Sequence, residues 1–113
     1  VPRLAIVFET RVTDLKTGQS CLGSACGILE SGISVVQSLE LAPDDPVRLE
    51  MADCVAVGRI VYSNAEGKQF RLGIEVQRFQ LGNSSLSNLL RRTLVKMAPS
   101  LLDSAESEVL HLI

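Results

Sequence analysis

The sequence has no tryptophan, one histidine, and only three Phe and one Tyr among its 113 residues. Surfaces that read single-stranded nucleic acid interleave aromatic rings with Lys and Arg so that bases can stack. The few rings here fall mostly on faces that read as core, which leaves an RNA-binding small barrel as the third-ranked reading. Charge of one sign is also missing: 11 basic and 13 acidic residues leave a formal charge of -2 with no block of like charges. That excludes a broad electrostatic footprint for nucleic acid, so an anionic ligand would need a local cluster of arginines. No apolar run approaches the ~18 residues that span a bilayer, and no signal peptide is visible.

Catalytic combinations are equally scarce. His111 is the one histidine, close to the end of the sequence, and no motif around it pairs it with a serine or cysteine as a nucleophile's base. Asp44 and Asp45 sit in the Pro43–Pro46 loop, where turn formation and solvation account for them. No phosphate-binding glycine fingerprint opens a helix. Hydrolase, kinase and dehydrogenase readings lose their support, and the chain is expected not to be an enzyme. Cys21, Cys26 and Cys54 form no C-x-x-C pair, so they read as free buried thiols in a reducing, cytoplasmic setting, and with His111 they are expected to bind no zinc.

Alternation of apolar residues is abundant. Leu4, Ile6, Phe8 and Val12 make one row, and Lys16-Thr17-Gly18 reads as a turn. From Gln19 to Glu30, Leu22, Cys26 and Ile28 are placed on one face, with Gly23 and Gly27 marking bends. Ile33 and Val35 follow Gly32. Val47, Leu49 and Met51 alternate with Arg48 and Glu50, Cys54 to Tyr62 is apolar on both faces, and Phe70, Leu72, Ile74 and Val76 form the clearest strand. Six strand-like segments at short spacing without intervening helices predict an antiparallel barrel or sandwich, since parallel pairs would need long crossovers. Its expected core is Ile6, Phe8, Ile28, Val35, Leu49, Val57, Phe70, Leu72 and Ile74.

The period then changes to that of a helix. Asn83, Ser84 or Ser85 can cap it, and Leu86, Leu89, Leu90 and Leu94 make an apolar stripe that must be covered, either by the barrel or by another chain. Pro99 ends it, and a second short helix is expected from Asp103 onward. The domain plan is a barrel over residues 1–80 with a helical extension of the same domain over 81–113.

Three segments, Gly27-Ile28-Leu29-Glu30-Ser31-Gly32-Ile33-Ser34-Val35, Pro46-Val47-Arg48-Leu49-Glu50-Met51 and Phe70-Arg71-Leu72-Gly73-Ile74-Glu75-Val76, together resemble the PilZ domain family over roughly residues 3 to 79. The resemblance implies a six-stranded antiparallel barrel, often followed by a helix, that commonly receives the bacterial second messenger cyclic diguanylate. Ligand-binding members carry R-x-x-x-R in an N-terminal arm and [D/N]-x-S-x-x-G at a strand corner. Guanidinium forks clasp phosphate and stack on guanine, while the polar side chains read the guanine edge.

Against that pattern this chain keeps Gly32 but has Gly27 for the Asp or Asn and Leu29 for the Ser. Arg3 could correspond to the second arginine, whose partner would then precede Val1. Each lost polar contact weakens binding by roughly 10- to 100-fold. The expected function is therefore a divergent, non-enzymatic bacterial signalling or adaptor module acting through a protein partner or within a larger signalling protein. The rival is a genuine cyclic diguanylate receptor in which Arg3, Gly32 and other arginines such as Arg11 or Arg59 hold the ligand. The candidate interaction helix is the stripe Leu86, Leu89, Leu90 and Leu94, and no cofactor, nucleic acid or metal is expected. Oligomeric state is left open.

Overall fold

A computed structural model describes residues 3–4, 8–29 and 32–97 of the chain, with side chains over 9–27 and 32–92. Its strands are β1 (Arg3–Leu4), β2 (Phe8–Asp14), β3 (Ser20–Leu29), β4 (Gly32–Gln37), β5 (Pro46–Met51), β6 (Cys54–Glu66) and β7 (Gln69–Gln80), followed by helix α1 (Ser85–Met97). All pairings are antiparallel. The order β3-β2-β5-β6-β7-β4 closes on itself through β3–β4. Because β1 and β4 both pair Leu29, they lie on opposite sides of β3, and β1 extends the β2 edge. The described residues form the expected closed six-stranded barrel followed by a C-terminal helix.

Local chemistry sets the connections. Asp14 folds the β2–β3 turn by accepting bonds from the Lys16 N–H at 3.0 Å and the Thr17 hydroxyl at 3.1 Å, while Gly18 takes a φ of 79°. Asp45 ties the proline-bounded loop by accepting from the Ala42 N–H and pairing with Lys16. β6 and β7 are joined by the two residues Gly67-Lys68, with a positive φ at Gly67, as a type II′ hairpin asks.

Two bulges interrupt the β6–β7 hairpin, one between Val57 and Gly58, where Gln77 is the extra residue on β7, and one between Ile60 and Tyr62, where Val61 is extra on β6. Bulges bend and twist a strand, which suits a long hairpin wrapped into a barrel. Gly58 lies where a Cβ would overlap the Glu75 carbonyl, so the close approach of β6 and β7 there needs glycine.

The core contains Val35, Leu49, Leu72 and Ile74, as predicted, joined by Val12, Met51, Ile60 and Phe79. Phe70 packs against it half-buried. Val57 does not belong to it: β6 buries Cys54, Ala56, Gly58 and Ile60 and turns Val55 and Val57 outward. A strand apolar on both sides carries no phase, and the small inward residues Ala56 and Gly58 hid which side faces in. Leu22, placed on one face with Cys26 and Ile28, is separated from them by the β3 bulge between Ala25 and Gly27. It is 53% exposed on the outer surface, while Ala25, one residue before the β3 bulge, is buried. Of the three thiols, only Cys54 is fully buried; Cys21 and Cys26 are half-buried, and all are free. The expected core residues Ile6, Phe8 and Ile28, and the second helix with His111, lie outside the described residues or side chains.

Gln37 is wholly buried and satisfied, donating to the Leu39 carbonyl at 2.6 Å and accepting from the Leu39 N–H at 2.7 Å. Among the described residues no buried side-chain polar atom lacks a partner.

Candidate functional site

The two expected ligand residues meet at one end of β3. Arg3 of β1 and Gly32 of β4 are both registered on Leu29, from its two sides, so their backbones stand two strand spacings apart, about 10 Å. Arg11 is registered on Leu22, seven positions along the same strand and about 23 Å away. Arg59 pairs with Pro46 and Glu75 on the β5–β6–β7 wall. Arg3 and Arg11 therefore do not converge on one phosphate. Gly32 also has a reason in the fold, because a Cβ there would overlap the Ile74 carbonyl of neighbouring β7.

Beside Gly32 the outer surface dips into a pocket of about 210 Å³, lined by Gly32, Ile33, Ser34, Val61, Tyr62, Gly73, Ile74 and Glu75. Gly73 pairs with Tyr62, whose ring occupies the space a Gly73 side chain would take. The bulge at Val61 turns Val61 and Tyr62 outward together, and they remain 53% and 42% exposed. The volume is below the roughly 300–1,000 Å³ of drug-sized pockets, so it suits one ring or one large side chain.

Two arginines bonded to lining residues of the pocket, Arg71 to Ser34 and Arg59 to Glu75, are also held by carboxylates. Arg71 forks onto Glu66 at 2.7 and 3.0 Å and donates to Ser34 at 3.3 Å. Arg59 donates to Glu75 at 3.1 Å and to Asp44 at 3.0 Å. These carboxylates raise the pKa of each arginine, Glu66 chiefly for Arg71 and Glu75 chiefly for Arg59. A phosphate arriving here would have to displace a carboxylate already in place.

The helix is fixed to the barrel at its first turn. Asp53, in the β5–β6 turn, accepts from the N–H groups of Asn83 at 2.6 Å and Ser84 at 2.9 Å and from the hydroxyls of Ser84 and Ser87 at 2.5 Å each. Ser84 is the N-cap, its oxygen accepting from the Ser87 N–H at 3.1 Å. The bonds from Ser84 and Ser87 hold the Asp53 carboxyl well below the usual carboxylate range. Leu90 is fully buried in the core and Leu86 packs against it, Leu89 is half-buried, and the Leu94 side chain is outside those described. The first half of the stripe is thus covered by its own barrel. Sequence reading named the cap but missed Asp53, which reaches it across some thirty residues and has no local signature.

Cys54 lies 3.0 Å from the Ser87 hydroxyl, and burial pushes its thiol pKa up, away from nucleophilic use. Among the described residues no three His, Cys, Asp or Glu side chains gather as metal ligands, and no helix is long and apolar enough to cross a membrane.

No family model and no curated protein matches the chain. A crystal structure of the PilZ domain of CeSA from a cellulose-synthesizing bacterium matches it with a TM-score of 0.54 at 15% identity, covering 84% of this chain and 96% of that one. The likeness is one of architecture, and it joins the barrel closure seen here to the motif reading of the sequence: this chain has a PilZ-like fold.

Proposed function

We propose that the chain is a non-enzymatic module of bacterial cyclic diguanylate signalling that works in the cytoplasm through protein contacts, with weak or absent binding of the nucleotide itself. The observation that carries this reading is the chemistry around Gly32. The positions that would read guanine are Gly27 and Leu29, and the nearby Arg59 and Arg71 are already held by carboxylates. The exposed Val61 and Tyr62 beside a side-chain-sized pocket suit a protein contact better than a dinucleotide.

The second reading, a true receptor completed by an arginine arm, is favoured by the shared register of Arg3 and Gly32 on Leu29. Titration calorimetry with cyclic diguanylate, on this chain and on one extended upstream of Val1, separates the two. The proposal expects no saturable heat at micromolar nucleotide. A micromolar Kd for either chain, lost on Arg3→Ala, would establish the receptor instead.

A further inference from the structure

We propose that the outer wall of the barrel between Arg11 and Arg78 binds an acidic, partly apolar segment of another protein. This surface is separate from Gly32 and the Tyr62 pocket, and the proposal stands or falls independently of nucleotide binding.

Strand register builds the surface. Directly paired residues share a face of the sheet, and Val12, Leu49 and Ala56 point inward. Arg11, Glu50 and Val55 therefore form one outward row across β2, β5 and β6. Arg48, Val57 and Arg78 form the next row across β5, β6 and β7. Leu22, opposite Arg11 on β3, extends the first row and is exposed. Arg11 and Arg78 stand three strand spacings and one row apart, about 16 Å along the wall. Val57, expected in the core, lies instead between two arginines on the outside.

Charge on this wall is unbalanced. Elsewhere Lys16, Arg59 and Arg71 are each held by a carboxylate. Here the three guanidinium groups of the two rows share the carboxylate of Glu50, which accepts from Arg48 at 3.2 Å. Arg11 and Arg78 are exposed, and among the described residues neither has a carboxylate within ion-pair distance. Glu9, two residues before Arg11 on the same face, is no exception. A chain of net charge -2 that gathers unneutralised arginines around Leu22, Val55 and Val57 is complementary to a partner bringing carboxylates together with apolar side chains.

Composition sorts the occupants. Arginine with apolar residues and without lysine is the mixture found at the centres of protein interfaces. No aromatic ring lies in either row for a base to stack on. Lipid-reading patches gather roughly four to eight Lys and Arg, more than this wall holds.

The probe is a peptide of about a dozen residues repeating Glu-Val-Ser, long enough to cross the wall. Peptides repeating Lys-Val-Ser and Glu-Ser-Ser are its counterparts. Followed by amide chemical shifts of the isotope-labelled chain, the acidic peptide should saturate with a Kd of about 0.1 to 1 mM at low salt and weaken as salt rises. The largest shifts should fall at Arg11, Arg48, Val57 and Arg78, and both counterparts should bind at least about threefold more weakly.

Arg78→Glu should raise the Kd about tenfold and Arg11→Gln about threefold, with thermal melts showing folded chains. Arg78→Glu should also bind the Lys-Val-Ser peptide more tightly than the parent does. Lys68→Glu, the same change of charge at the exposed β6–β7 turn, should leave the acidic peptide's Kd unchanged. No saturation up to about 5 mM, shifts centred on Tyr62, or equal weakening by Lys68→Glu and Arg78→Glu would each overturn the proposal. Tighter binding of phosphatidylserine vesicles or of oligothymidylate than of the acidic peptide, lost on Arg78→Glu, would also overturn it, by assigning the wall to a membrane or a nucleic acid.

Discussion

Single residues show how far alternation alone can be read. Leu72 sits on a strand whose neighbours alternate strictly in sequence, and it is wholly buried between β4 and β6. Leu72→Ala should cost about 2 to 5 kcal/mol in a denaturant titration, through lost transfer energy and the cavity left behind; a loss below about 0.5 kcal/mol would mean that the strand phase is wrong. Val57 is the counterexample, because its strand is apolar on both faces and only the partners across the sheet decide which side faces in. Gln37 teaches the same lesson for polar residues. Nothing in the chain marks it as buried, yet both ends of its amide are matched by Leu39 backbone groups two residues on. Gly32, read as the surviving residue of a ligand motif, has a sufficient cause in the approach of β4 to β7.

At the scale of elements, the helix depends on a carboxylate that lies outside it. No acidic residue occupies the first turn of α1, and Asp53 supplies the negative charge that the helix N-terminus favours. Asp53→Asn removes the charge and should lower the melting temperature and the helical circular dichroism signal at pH 7. The folded-state pKa of Asp53 is depressed, so its stabilisation is fully present above the unfolded value of about 3.9 and is lost as pH falls through the folded value. The melting difference between parent and Asp53→Asn should therefore persist down to about pH 4 and narrow only in stronger acid. A carbon-detected carboxyl titration with a midpoint near 3.9 would contradict the contact. Helix and cap were legible from Ser84 and the leucine spacing; the anchor was not, since a contact across thirty positions has no periodicity.

For the molecule as a whole, six alternating segments, short turns and one change of period narrowed the fold to an antiparallel barrel or sandwich with a terminal helix, and the resemblance to a known family chose the barrel that the structure shows. Ring order came only with the structure, because periodicity says which way side chains face and nothing about which strands are neighbours. The candidate site was legible only as a location near Gly32. Its present occupants, Tyr62 over Gly73 and arginines committed to Glu66, Glu75 and Asp44, come together from separate segments, and tertiary structure alone could bring them there.

The two bulges of the β6–β7 hairpin bear on how this gene can change in length. Gln77 and Val61 each follow or precede an outward-facing neighbour, so both members of each pair, Gln77 with Arg78 and Val61 with Tyr62, are exposed. Removing either residue closes the local ladder without sending any inward side chain outward, whereas a deletion elsewhere in these strands inverts every position as far as the next turn. In a deletion scan read by soluble yield, Val61 and Gln77 should stand out as the survivable losses within residues 54–80, at the cost of the extra bend that each bulge gives the barrel wall. Equal loss of yield at these and neighbouring positions would show that the bend, more than the inward pattern, is what the hairpin cannot do without. Read this way, the irregular points of the sheet are where the chain can shorten while keeping its fold.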